Sequence, residues 1–228
     1  VENLRSVGAY LRGEEVSRQF KGRYYSSSDL FKVMEGVAYM LMIEKDLALE
    51  AKMDEIIEII AAAQQSDGYL YEHHILPAHL RNKSNSGAAG KTPYSNVPSS
   101  HELYNMGHMY EGAIAYYQAT GKRKWLDVAE KSARHINKVF FEGDPNYNDG
   151  KPVMQSPGHE EIELALVKMF RVTGDSLYLN MAKKFIDIRG VGADQRQNNY
   201  AQQHLQVREQ RTAVGHSVRA TYLYSGMA

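Results

Sequence analysis

Apolar side chains recur at helical spacing along nearly the whole chain. Met53, Ile56, Ile57, Ile60 and Ala61 stand at i, i+3, i+4, i+7 and i+8, the stripe that puts one face of a helix against a core. Trp125, Val128, Ala129, Ser132, Ile136 and Val139 follow the same rule with one small polar member, as do Ile162, Ala165, Leu166, Met169 and Phe170. No run of alternating Val, Ile and Thr competes with them, so no strand is predicted. Helices are expected near 29–43, 47–65, 99–120, 123–140, 158–173, 176–189 and 208–225. Ser99 and Glu102 have the S-x-x-E form of a capping box. Gly121 and Gly174 stand where a left-handed residue should close a helix, and Asp175 can cap the next one. The segments 66–98 and 141–157 read as long loops, and the stretch from Val191 to Tyr200 is similar in character.

Two stretches repeat. Thr120-Gly121-Lys-Arg-Lys-Trp125-Leu126-Asp127-Val-Ala129 returns 53 residues later as Thr173-Gly174-Asp-Ser-Leu-Tyr178-Leu179-Asn180-Met-Ala182. Each copy falls at a tight turn between two helices, so the repeating unit is a helix hairpin. A period of this size in an all-helical chain predicts a stacked array or a closed toroid of hairpins. The dipeptide Gly-His also recurs, at 107–108, 158–159 and 215–216. If hairpins alternate between an inner and an outer ring, these histidines should gather at one mouth.

Composition narrows the functional classes. The 228 residues are enough to bury a sizeable core, and 43% hydrophobic with 24% charged residues is ordinary for a globular protein. Lys+Arg and Asp+Glu balance at 27 each, which argues against a nucleic-acid or anionic-membrane binder. No apolar run approaches the roughly 20 residues that span a bilayer. The chain has no cysteine, so it offers neither a disulfide nor a thiolate nucleophile. That absence leaves both cytoplasm and periplasm open. Tyrosines, 16 against 6 phenylalanines, suit partly wet clefts.

The chemistry is less legible. His101-Glu102 resembles the start of a zinc-protease helix, but Asn105 stands where its second histidine belongs. No tight set of three or four metal ligands is visible, and no metal site is expected within the chain. There is no G-x-S-x-G and no phosphate-binding glycine loop. Glu35, Glu111, Glu160, Glu161, Glu163 and Glu209 all lie on or beside predicted helices; Glu160 and Glu161, at a predicted helix start, fit solvated first-turn acids. A concave array with Tyr, His, Asn and Gln near loop ends could bind a neutral polyol.

Longer motifs carry a resemblance. His101-Glu-Leu-Tyr104-Asn105-Met-Gly107-His108 running into Glu111-Gly-Ala-Ile-Ala-Tyr116-Tyr117-Gln-Ala-Thr-Gly121 resembles glycoside hydrolase family 127, the β-L-arabinofuranosidase-like proteins. So do Pro157-Gly158-His159-Glu-Glu161-Ile-Glu163, Phe185-Ile-Asp187-Ile-Arg189-Gly190, and Val207-Arg208-Glu209-Gln210 leading into Ala213-Val214-Gly215-His216-Ser-Val-Arg219-Ala220. Asp29-Leu-Phe-Lys32-Val-Met-Glu35 and Ala63-Gln64-Gln65-Ser-Asp67-Gly68-Tyr69-Leu70 extend the likeness toward the N-terminus.

The resemblance implies an (α/α)6 toroid of helix hairpins, incomplete here at about seven helices, with residues 1–228 as the N-terminal portion of a single catalytic barrel and no second domain. It implies hydrolysis of a terminal β-L-arabinofuranoside or related sugar with retention. In the family a zinc-bound cysteine thiolate attacks the anomeric carbon and a glutamate serves as acid and then base. The motifs transfer sugar contact to His108, His159 and His216, with His101 close behind. The implied nucleophile, acid/base and zinc ligands lie downstream of the last motif, so zinc is expected in a full-length parent and no glycosidase activity is expected of the chain by itself. An open edge should expose apolar helix faces, favouring self-association or contact with a missing C-terminal part. The alternative is a non-catalytic helical scaffold that binds carbohydrate or protein on its concave face. A third reading, an unsaturated-uronyl hydrolase working with Asp and water, is disfavoured because the Gly-His series does not resemble those proteins.

Overall fold

The computed structural model describes residues 1–81, 86–191 and 198–228, and every regular element among them is helical. In order these are α1 (Glu2–Leu11), α2 (Ser27–Ile43), α3 (Leu47–Ala62), α4 (Glu72–Ile75), α5 (Ser86–Ala89), α6 (Val97–Ser100), α7 (Glu102–Thr120), α8 (Lys124–Asn137), α9 (Ile162–Thr173), α10 (Ser176–Ile188) and α11 (Ser217–Met227). Among the described residues, no helix is long and apolar enough to cross a membrane.

The helices form two rows. Along the inner row α2 packs on α7, α7 on α9, and α9 on α11. Behind them α3, α8 and α10 form the outer row, with α1 against α3. Consecutive helices α2–α3, α7–α8 and α9–α10 pair as inner–outer hairpins, which makes the architecture a helical toroid in part, as the repeat predicts. The middle inner helix, α7, is buried on all sides from Glu102 to Tyr116. The end inner helix α2 buries Phe31, Met34 and Ala38 but leaves Val33, Met40 and Ile43 exposed at 66%, 62% and 88%.

The repeated turns are built alike. Gly121 and Gly174 close α7 and α9 in the left-handed region at φ 73° and 74°, where a Cβ would be strained. Thr120 and Thr173 donate their hydroxyls to carbonyls one turn back, at 2.7 and 2.8 Å. Trp125 and Tyr178, equivalent in the repeat, are both wholly buried. Asp175 accepts the Leu177 N–H at 2.9 Å and caps α10.

Several expectations are corrected. The predicted helix 99–120 is two helices broken at His101, whose φ of 58° is left-handed. Its capping box does not form: Ser99 lies inside α6, and Glu102 instead accepts Tyr69 Oη at 2.7 Å and the Tyr94 N–H at 3.1 Å. The predicted helix 208–225 is a single 3-10 turn, Val207–Glu209, followed by extended backbone, and α11 begins only at Ser217. Gly215 at φ +81° is outside right-handed helical geometry and stops any earlier start, and a Cβ there would lie 1.8 Å from the Asn199 carbonyl oxygen. The helix predicted from 158 starts at Ile162, since residues 157–161 leave helical geometry to fit under α6. Helix α1 was not predicted; its buried Leu4, Val7 and Gly8 make too short a stripe, and it has no side-chain cap. The expected loop 66–98 contains α4 and α5, and that at 191–200 lies mostly outside the described residues.

Candidate functional site

The inner row carries a layer of imidazoles and phenols. His101 sits at the break before α7, Tyr104 and His108 on the first two turns of α7, His159 in the irregular segment before α9, and Tyr222 on α11. Tyr104 is the hub: its ring centroid is 4.3 Å from that of His159, 4.5 Å from His108, 5.6 Å from His101 and 6.4 Å from Tyr222. His101 and His159 lie 5.7 Å apart, and Tyr222 is 5.8 and 5.7 Å from His108 and His159. Lys32 of α2 donates to Tyr104 Oη at 2.8 Å.

Three of the four predicted histidines therefore meet. His216 stands one step out: it caps α11, accepting the Arg219 N–H, and its ring lies 5.2 Å from Tyr200. It remains near enough to depress the basicity of His159. Arg219 ties the two segments together by donating to the Gly158 carbonyl.

Each Gly-His pair meets a different backbone need. At Gly158 a Cβ would lie 1.8 Å from the Pro98 carbonyl oxygen, so only glycine lets the His159 segment slide under α6. At Gly107 it would lie 2.4 Å from Glu161 Cγ, so the glycine admits Glu161 against α7.

The imidazoles are neutral at physiological pH. Burial first, then the cations Lys32 and Lys168 and the neighbouring His159, holds His108 down to about 3. Burial likewise holds His159 down to about 4 and lowers His101. The tautomers of two follow from their partners. His159 Nδ1 lies 2.8 Å from the Glu160 carbonyl oxygen, and His101 Nδ1 lies 2.8 Å from that of Ser99. A carbonyl only accepts, so both Nδ1 atoms carry hydrogen and both Nε2 atoms are acceptors.

Below this rim lies a carboxylate layer. Glu160 and Glu161 are not the solvated acids expected from their position; both are fully buried. Glu160 pairs with Arg189 at 2.9 Å, as does Glu163. Glu161 turns the other way, placing Oε1 3.3 Å from His108 Nδ1. Glu111 Oε2 is 4.0 Å from the same nitrogen, and Glu111 is bonded to Lys168 of α9. Burial, and then the Glu111 carboxylate, pushes Glu161 up to about 11. Glu35 on α2 is raised by burial and by Glu111. Among the described residues Glu35, His108 and Glu111 form a group able to hold a metal ion, their donor atoms all within 4.8 Å of one another. Sequence reading named these glutamates without grouping them; the usable signal was the i, i+3 spacing of His108 and Glu111. Arg219 was visible only as part of the motif around His216, and Tyr222 gave no signal. Glu209 is exposed and apart from the layer.

The chain is a partial toroid of helix hairpins with a rim of neutral imidazoles and phenols on its inner row. The catalytic-domain model of the glycoside hydrolase family 127 β-L-arabinofuranosidases matches residues 5–228, and the chain belongs to that family. It is 36% identical to a non-reducing end β-L-arabinofuranosidase of Bifidobacterium longum subsp. longum, over 94% of this chain and 33% of that protein. Among solved structures it resembles a family 127 β-arabinofuranosidase at a TM-score of 0.84 and 40% identity, covering 99% of this chain and 33% of that one. It also resembles the β-L-arabinofuranosidase of Geobacillus stearothermophilus T6, at a TM-score of 0.81 and 36% identity, over 99% of this chain and 35% of that one. The chain thus spans about a third of the length of these relatives.

Proposed function

We propose that this chain supplies the sugar-holding part of a retaining glycoside hydrolase acting on terminal β-L-arabinofuranosides or a closely related sugar. The observation that carries the reading is the convergence of His101, His108 and His159 on Tyr104. Neutral imidazoles suit a neutral furanose, because each can accept from one hydroxyl or donate to another without burying charge. His101 and His159 would accept hydroxyl protons at Nε2. His108 faces its carboxylates with Nδ1, so Nε2 is the nitrogen left for the sugar. His216 would close the ring of contacts from the start of α11. The Tyr104 and Tyr222 rings offer apolar faces for the sugar's C–H groups.

The zinc-held thiolate that the family resemblance implies has no fit among these residues, since the chain contains no cysteine. The chain binds and orients; the groups that attack and protonate belong to other residues of the proposed hydrolase. The test is hydrolysis of a chromogenic β-L-arabinofuranoside by the longer polypeptide carrying this chain. His159→Ala should raise KM at least tenfold, the loss of one or two hydrogen bonds in a buried site. An unchanged KM would remove His159 from the sugar site.

A further inference from the structure

We propose that Glu35, His108 and Glu111, with Glu161 beside them, form a binding site for a divalent transition-metal cation, of which Zn2+ is the natural probe. The four groups come from α2, α7 and the segment before α9, so the toroid's packing, not a local motif, assembles them. The donor atoms of the first three lie within 4.8 Å of one another. Glu161 adds an oxygen 3.3 Å from His108 Nδ1.

Two further observations point to a ligand. First, His108 is 2% exposed, yet neither ring nitrogen makes a hydrogen bond; Glu161 is 0% exposed, and neither carboxyl oxygen makes one. Buried polar atoms are nearly always satisfied, and here His108 Nδ1 and Glu161 Oε1 face each other 3.3 Å apart. Second, three carboxyl groups crowd around one ammonium, Lys168, which is already bonded to Glu111. Lys32 is directed to Tyr104 Oη, and Tyr39 donates to Glu35 at 2.9 Å without adding positive charge. A dication gives the three carboxyls and His108 Nδ1 one shared partner. One imidazole with carboxylates is a donor set for zinc or manganese; calcium and magnesium prefer oxygen alone. Closing the set onto bonds of about 2.0–2.2 Å asks for a small rotation of Glu35, the half-buried member.

Lys168 gives the proposal a handle. Its ammonium occupies Glu111 and must compete with a cation, so removing it and removing a ligand should act in opposite directions. The experiment is calorimetric titration of chelator-treated chain with ZnCl2 in a non-coordinating buffer, with far-UV circular dichroism on each variant. One saturable equivalent is expected. His108→Ala and Glu111→Gln should each weaken it at least tenfold, and Lys168→Met should tighten it several-fold. Absence of saturable binding overturns the proposal, and a shared proton then accounts for the cluster. Binding within twofold of the parent in His108→Ala, or an unchanged Lys168→Met, overturns it equally. The outcome is independent of whether the rim holds an arabinofuranose.

Discussion

Glu160 and Glu161 are neighbours in sequence, equally buried, and engaged in opposite kinds of surroundings. Glu160 joins Glu163 on the guanidinium of Arg189, which also donates to the carbonyls of Ala201 and Pro157 at 3.1 and 2.9 Å. That cluster fastens the segment before α9 to the end of α10. Glu161 joins Glu111 and Glu35 around His108, with a single lysine for three carboxyls. Burial raises both acids, Glu160 to about 7 and Glu161 to about 11. The difference lies in compensation. A buried carboxyl that faces a guanidinium fastens two segments together; one that faces other carboxyls and an imidazole is suited to holding something else.

The comparison is most directly broken at Arg189. Arg189→Met leaves two carboxyls buried without their cation and should cost about 3–5 kcal/mol in urea unfolding. Glu161→Gln, on the other side, replaces a carboxyl that burial and Glu111 already keep protonated and should leave stability unchanged or raise it by up to about 1 kcal/mol. Equal losses from the two variants would erase the distinction.

Gly158→Ala should follow at about 3 kcal/mol, because a rigid carbonyl stands where the Cβ must go and overpacking is relieved only by backbone movement. Its thermal unfolding should be compared with that of Gly36→Ala, where nothing lies within 4 Å of the added carbon and a gain of up to about 1 kcal/mol is expected from helix propensity.

A pH effect comes from Glu102, which burial pushes up to about 7 despite the bonds from Tyr69 and Tyr94. Its folded-state value exceeds the unfolded one, so the folded chain holds its proton longer. Its stabilising contribution is complete below about 4.5 and is lost as pH rises toward and through about 7. Denaturant midpoints should therefore fall across that window, and Glu102→Gln should flatten the fall. The smallest effect, about 1 kcal/mol, is expected from Asp175→Ala, which removes the cap on α10.

What the sequence revealed divides along the same physical line. The hairpin turns were legible because their chemistry is local: Thr120-Gly121 and Thr173-Gly174 carry their own hydroxyl bonds and left-handed glycines. The Gly-His recurrence pointed to His108, His159 and His216 gathering; His108 and His159 do meet around Tyr104, His101 came from the motif resemblance alone, and the outward place of His216 beside Tyr200 was not foreseen. Glu161 looked like a first-turn acid because nothing near it in sequence says that Gly107, more than fifty residues earlier, opens the space for it. Ser99 and Glu102 failed as a capping box for a similar reason. The left-handed turn at His101 is set by tertiary packing, and Glu102 is claimed by tyrosines from two other segments. Helix α1 has no side-chain cap and takes its order from α3.

The measurement that bears most directly on the account is imidazole NMR of the 15N-histidine-labelled chain during titration with L-arabinose. The ring nitrogens of His101, His108 and His159 should shift together along one saturation curve, with His73, His74 and His135 unmoved. Shifts confined to histidines outside the rim, or rim signals that stay still at saturating sugar, would contradict the claim that this layer of imidazoles grips the furanose.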